Sequence, residues 1–193
     1  MEGRVSIDGI PALLRDASSA VEEAGLAFAV IGGCARNAYA EARATKDVDF
    51  VVEVDERRYP DLVAALARRG FTCATEVADG THAVPDLALY RDPEGRRVDI
   101  LFAHTELERA ALARSESREP YAGVRLAVVS PEDLIVYKLV ADRPQDRADI
   151  AAVLATLSIA GRAIDWPYVE RWCDIWEVRP RLERLRAEAV TDR

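Results

Sequence analysis

Two aspartates at the head of an apolar run, Asp47-Val48-Asp49-Phe50-Val51-Val52, constrain this chain more than any other stretch. The run reads as a buried β-strand, in which residues two apart point to the same face. Asp47 and Asp49 then stand side by side, and two unpaired carboxylates so placed repel each other. A divalent cation relieves that repulsion, because hard carboxylate oxygens suit Mg²⁺. The stretch therefore points to a metal-dependent site rather than a plain core strand.

A third acid lies inside a second apolar strand, Arg96-Arg97-Val98-Asp99-Ile100-Leu101-Phe102. Alternation places Arg97, Asp99 and Leu101 on one face and Val98, Ile100 and Phe102 on the other. Taken alone, Asp99 is expected to pair with an arginine such as Arg97 at a strand edge. If this strand lies beside the first, the three carboxylates converge. Three acids around one or two Mg²⁺ ions serve phosphoryl or nucleotidyl transfer, where the metals clamp attacking and leaving oxygens. One acid can also accept the proton of an attacking hydroxyl. Gly32-Gly33 follows the apolar strand Ala27-Phe28-Ala29-Val30-Ile31 and opens a helix. Glycines there let the backbone approach a phosphate, with helix N–H groups directed at it.

The remaining pattern is mixed α/β followed by helices. Helical periodicity runs from Ile10 to Ala24, stopped by Gly25, and from Cys34 to Ala42. It returns from Tyr59 to Arg69, closed by Gly70. Strands are expected over about Val48 to Val54 and Phe71 to Thr75, and a hairpin pairs His82–Tyr90 with Arg96–Phe102 across Arg91-Asp92-Pro93-Glu94-Gly95. A helix from Thr105 to Ser115 and a strand from Val124 to Val129 come next. Ser130 caps a helix begun by Pro131 and running to Ala141, Asp142-Arg143-Pro144 breaks it, and Gln145–Leu157 and Trp166–Glu188 are helical again. The expected division is a core over residues 1–129 with a helical region, 130–193, packed on it.

Composition excludes several classes. Half of the 193 residues are apolar and 31% are charged, as in a soluble globular protein. A net charge of −8 argues against broad binding to a phosphate backbone. Met1-Glu2-Gly3-Arg4 leads into a mixed segment without leader character, and no run approaches the roughly 20 apolar residues of a membrane span. Cys34, Cys73 and Cys173 are scattered and odd in number, so neither a disulfide framework nor a zinc site is indicated and a reducing cytoplasm is expected. Cys34 reads as a small buried residue, and the Trp166, Trp172, Trp176 series with Tyr168 as an aromatic face packed in the core. His82 and His104 lack partners at ligand spacing.

The order of these motifs resembles the nucleotidyltransferase superfamily related to DNA polymerase β. Val30-Ile31-Gly32-Gly33, then Asp47-Val48-Asp49, then Val98-Asp99-Ile100 follow its pattern of strand, Gly-Gly or Gly-Ser, helix, Asp-x-Asp and a later Asp. Gly32-Gly33-Cys34-Ala35-Arg36 with Arg43-Ala44-Thr45-Lys46-Asp47-Val48-Asp49 looks most like the small bacterial minimal nucleotidyltransferases and AbiEii-type toxins. The segment from Ser130 to Ile150 is similar to the Lys-then-Arg-x-x-Asp-x-x-Asp stretch of the latter. At the second glycine position, Gly33 stands where a serine is common, which removes a hydroxyl able to touch phosphate.

The resemblance implies an α+β fold, a mixed nucleotidyltransferase-type sheet flanked by helices and followed by C-terminal helices. It implies Asp47, Asp49 and Asp99 as metal ligands and catalytic acids, with one or two Mg²⁺ or Mn²⁺ ions. Gly32, Gly33, Arg36, Arg43, Thr45 and Lys138 become nucleotide contacts, and Asp146 and Asp149 help order the site. The expected reaction moves a nucleoside monophosphate from a nucleoside triphosphate such as ATP to a hydroxyl on a small molecule, a tRNA or a protein. A cognate antitoxin and a second copy of the chain are further implied partners. The competing expectation is a non-catalytic half of a toxin–antitoxin pair that acts as a protein-binding module.

Overall fold

The computed structural model describes residues 9–191, so the Met1–Arg4 segment lies outside the described residues. In chain order the elements are α1 (Ile10–Glu23), β1 (Ala27–Ile31), α2 (Gly32–Asn37), β2 (Asp47–Glu53), α3 (Tyr59–Arg68), β3 (Thr72–Val77), β4 (Leu87–Arg91) and β5 (Arg97–Phe102). They continue as α4 (Glu106–Ala113), β6 (Glu116–Tyr121), β7 (Val124–Val128), α5 (Pro131–Ala141), α6 (Pro144–Ile159), α7 (Trp166–Ile175) and α8 (Arg179–Thr191). Among the described residues, no helix is long and apolar enough to cross a membrane.

The seven strands form one mixed sheet in the order β3-β4-β5-β2-β1-β7-β6. The carboxylate strand β2 is central, antiparallel to β1 and parallel to β5. Its apolar residues Val48, Phe50 and Val52 are wholly buried in the core shared with α1 and α3. Phe28 meets Phe50 edge-on at 5.6 Å, and Tyr59 of α3 meets Phe102 of β5 at 5.5 Å. Burial of this one face fixes the register, because a slip of one residue would turn Asp47 and Asp49 into the core.

Three expectations are corrected. Helix α2 starts at Gly32 and ends at Asn37 instead of running to Ala42. The Asn37 side chain donates to the Arg43 carbonyl at 2.9 Å and accepts from the Arg43 amide at 3.1 Å, so a side chain takes over the backbone bonds that more helix would need. The strand expected over His82–Tyr90 is confined to Leu87–Arg91, and residues 78–86 are irregular. Strand β6, Glu116-Ser-Arg-Glu-Pro-Tyr, carries no apolar alternation and was not expected. It is an edge strand, where charge and Pro120 are tolerated because one side needs no ladder bonds.

The C-terminal helices hold a second apolar cluster around Ile135, Leu139, Val169, Trp172 and Leu182, to which α4 contributes Leu107. Leu134 of α5 and Val153 and Leu157 of α6 belong to the sheet core instead, so the two clusters interlock. Trp172 is buried and Trp176 is 37% exposed. At the end of β2 remote from Asp47, the imidazoles of His82 and His104 stack at 4.0 Å beside a hollow of about 640 Å³.

Candidate active site

The sheet register brings the three acids together. Asp49 lies directly across from Asp99, and Asp47 across from Arg97, on the same face of adjacent parallel strands. Asp47 and Asp49 form no side-chain hydrogen bond or ion pair among the described residues. Burial pushes the Asp49 carboxyl up to about 7, and the charges of Asp99 and Asp47 add to the rise. Burial also raises Asp47, with Arg97 opposing and Asp99 reinforcing. Asp99 is held differently. Arg97 Nε and Nη2 each donate to one of its oxygens at 2.6 Å, the bidentate pairing expected of Asp99 on its own.

The two glycines are required by what they touch. Gly32 has φ +64°, and a β-carbon there would fall 2.2 Å from Asp49 Oδ2. A β-carbon on Gly33 would fall 2.6 Å from Thr45 Oγ1. The Thr45 hydroxyl donates to the Asp47 carbonyl at 3.2 Å. Thr45 therefore fills the space that a serine at position 33 would need, which sets its hydroxyl beside the glycine pair. Helix α2 opens with no side-chain cap, so side chains leave its first N–H groups unclaimed.

The other expected nucleotide contacts converge on one carboxylate. Arg43 Nε and Nη2 donate to Asp149 at 2.7 and 2.6 Å, Arg36 Nε stands 3.5 Å from it, and Lys138 Nζ donates to it at 2.6 Å. Lys138, only 3% exposed, also donates to Asp146 at 2.9 Å. Burial raises both acids, but Arg43 and Lys138 at Asp149, and Lys138 and Arg143 at Asp146, hold them below the usual carboxylate range. Lys138 is thus neither a solvated helix lysine nor a free cation. It ties α5 to α6, while Arg36 and Arg43 tie α6 to α2 and to the loop before β2.

A cleft of about 160 Å³ opens between this cluster and the acids, lined among others by Gly32, Asp49, Tyr137, Lys138 and Arg143. Arg143 is a residue that sequence reasoning missed, and its one signal is its place in the Arg-x-x-Asp segment. Its side chain is 56% exposed, and its charge opposes the rise at Asp49. Cys34, just after the glycines, is buried, and burial pushes its thiol up to about 12, which suits a packing residue.

Asp47 and Asp49 fit a divalent cation. They are adjacent, they share a face, and no side chain pairs with them among the described residues. Asp99 fits only once Arg97 releases it. Among the described residues as they stand, no three His, Cys, Asp or Glu side chains are grouped closely enough to hold a metal.

The family described as "Nucleotidyl transferase of unknown function (DUF2204)" matches residues 12–177. Among solved structures, the antibiotic-resistance factor ANT(2″)-Ia superposes with a TM-score of 0.58 at 16% identity, covering 96% of each chain. Another structure of ANT(2″)-Ia is a complex with adenylyl-2″-tobramycin. An antigenic nucleotidyltransferase-like protein from Paracoccidioides brasiliensis gives 0.56 at 17% identity over 92% of each chain. The lincomycin-bound lincosamide antibiotic adenylyltransferase LnuA gives 0.52 at 15% identity over 80% of this chain and 99% of its own. At these identities the likeness is one of fold. No curated protein matches the sequence.

Proposed function

The chain belongs to this family of nucleotidyl transferases, and on that premise we propose that it moves a nucleoside monophosphate from a nucleoside triphosphate to an acceptor hydroxyl in a Mg²⁺-dependent reaction. The observation that carries this reading is the pair Asp47 and Asp49, two carboxylates on one strand face with no paired counter-charge among the described residues and with Gly32 packed against Asp49. Mg²⁺ held by these two acids would neutralise the triphosphate and polarise the reacting phosphorus, with Mn²⁺ able to substitute. The Gly32-Gly33 turn receives the phosphates through backbone N–H groups. Arg143 at the cleft mouth adds a cation on the same side. Asp99, once released by Arg97, accepts the proton of the acceptor hydroxyl or joins the metal ligands.

The Lys138, Asp146 and Asp149 cluster supports the narrower AbiEii-like, toxin-type reading, because it orders the loop before the acids. Acceptors consistent with the site include antibiotics, tRNA and protein. One observation favours a second reading. The Arg97 clamp leaves Asp99 with both oxygens occupied, as suits a non-catalytic toxin–antitoxin component. The deciding experiment incubates the protein with labelled nucleotides, Mg²⁺, cell RNA, protein and antibiotics. Asp49→Asn should abolish label transfer while leaving circular dichroism unchanged. Full turnover by Asp49→Asn on a labelled acceptor would remove the assignment.

A further inference from the structure

Helices α5 and α6 meet in a corner that is fixed from several sides. Asp142 closes α5 in the left-handed region, at φ +47°, and Pro144 opens α6. A non-glycine residue in that region persists only where its surroundings hold it there. Arg181 of α8 does so. Its Nη1 donates to the carbonyls of Leu139 and Val140 at 2.8 Å each, and its Nε stands 3.2 Å from Asp142 Oδ2. Arg143, set between Asp142 and Pro144, therefore has a fixed backbone direction. Its amide and its Nε both donate to Asp146 Oδ2, at 2.9 and 3.1 Å. The other oxygen of Asp146 accepts from Lys138 at 2.9 Å.

Lys138 and Arg143 are the two cations that line the cleft beside Asp49, and they differ in state. Lys138 is buried, and its charge is answered by Asp146 and Asp149. The Arg143 side chain is more than half exposed, and its Nη1 and Nη2 have no partner among the described residues. Arg36 and Arg43 are committed to Asp149, and Arg97 to Asp99. Lys46 and Arg91, whose charges act on Asp47, do not line this cleft. A guanidinium tied at Nε and free at both terminal nitrogens presents planar donors in a set direction, which suits phosphate oxygens.

We infer that Arg143, and not Lys138, is the cation that α5 and α6 bring to the triphosphate, and that Lys138 is a positioning residue that acts through Asp146 on Arg143. The inference rests on the nucleotidyl-transfer reading and deepens it, because it moves the triphosphate contact from the residue that the family resemblance implies to one that the fold presents. In the transfer, the acceptor oxygen bonds to the α-phosphorus, and the bond from that phosphorus to pyrophosphate breaks with its electron pair. The hydroxyl proton passes to an Asp99 oxygen. Negative charge gathers on the departing pyrophosphate, and Arg143 at the cleft mouth is placed to meet it.

The full chain is titrated in saturating Mg²⁺ with the α,β-methylene analogues of the four nucleoside triphosphates and with the matching monophosphates, and the Gly32 amide is followed by NMR. Arg143→Gln should weaken the tightest-binding triphosphate by at least about tenfold, the loss of a charge-assisted bond, and change the monophosphate by less than about twofold. Arg143→Lys, which keeps the charge but not the tie to Asp146, should recover part of the loss. Asp146→Asn should weaken the triphosphate about threefold in the wild type and not at all beside Arg143→Gln, since nothing is then left to position. Lys138→Met should behave likewise where it folds, and Asp146→Asn decides where it does not. Wild-type triphosphate binding by Arg143→Gln, or equal losses for both ligands, overturns the role of Arg143. An Asp146→Asn loss of the same size in both backgrounds overturns the relay. If no triphosphate moves the Gly32 amide of the wild type, the nucleotidyl-transfer reading fails and the inference with it; if the amide moves and Arg143→Gln has no effect, the inference fails alone.

Discussion

Asp49 shows how much a single side chain can hold in reserve. Its carboxyl, pushed up to about 7 by burial and by its acidic neighbours, ionises in the unfolded chain at a lower pH than in the folded one. The folded state therefore binds the extra proton between about pH 4 and 7, and stability falls as pH rises through that window. Metal-free protein should lose on the order of 2–4 kcal/mol from this group between those limits, since a tenfold change in proton affinity is worth about 1.4 kcal/mol. Asp49→Asn should flatten the profile, which urea midpoints across the pH range will show; an unchanged slope would contradict it. Gly33 and Thr45 form a second unit of the same size. Gly33→Ser alone should destabilise by about 1–3 kcal/mol through overpacking against Thr45. Adding Thr45→Gly should recover most of that loss, giving a coupling that a double-mutant cycle can measure.

Between elements, the buried ion cluster is the main tie that sequence patterning would not lead one to expect. Helix α6 reaches α5 through Lys138 and reaches α2 and the loop before β2 through Asp149. Removing the shared cation leaves two buried acids under-compensated. Lys138→Met should cost about 3 kcal/mol in urea unfolding, the usual penalty for breaking a buried pair on one side. Asp146→Asn in the same chain should return part of it, because Asp149 keeps Arg43 and Arg36. If Lys138→Met is neutral, the cluster does not hold α6 in place.

Across the whole chain, the sheet and the C-terminal helices meet at the cleft between Gly32, Asp49 and Lys138, so a ligand seated there joins both apolar clusters. A nucleoside triphosphate with Mg²⁺ at about 100 times its dissociation constant should add about 2.7 kcal/mol. In a chain of this length that raises Tm by roughly 5–10 °C, and Asp49→Asn should abolish the shift. No shift with any of the four nucleotides would favour the non-catalytic module.

The acid strand, the glycine turn and the helix starts were legible in one dimension, because each is dictated by local periodicity, φ or capping. Asp47 and Asp49 share a face wherever their strand lies, and Gly32 and Ser130 announce their own conformations. Folding in three dimensions was needed to place β5 beside β2 in a register that sets Asp99 opposite Asp49, since strand order depends on how helices cover the sheet. It was needed equally to bring Arg36, Arg43 and Lys138 to Asp149, because these residues come from separate segments and their charges carry no mark of their partners. Strand β6 stayed hidden because an edge strand need not look apolar. How far the acid face is covered was likewise left to the fold: alternation puts Leu101 beside Asp99, but only the packing of the whole chain leaves Leu87, Leu89 and Leu101 half-buried.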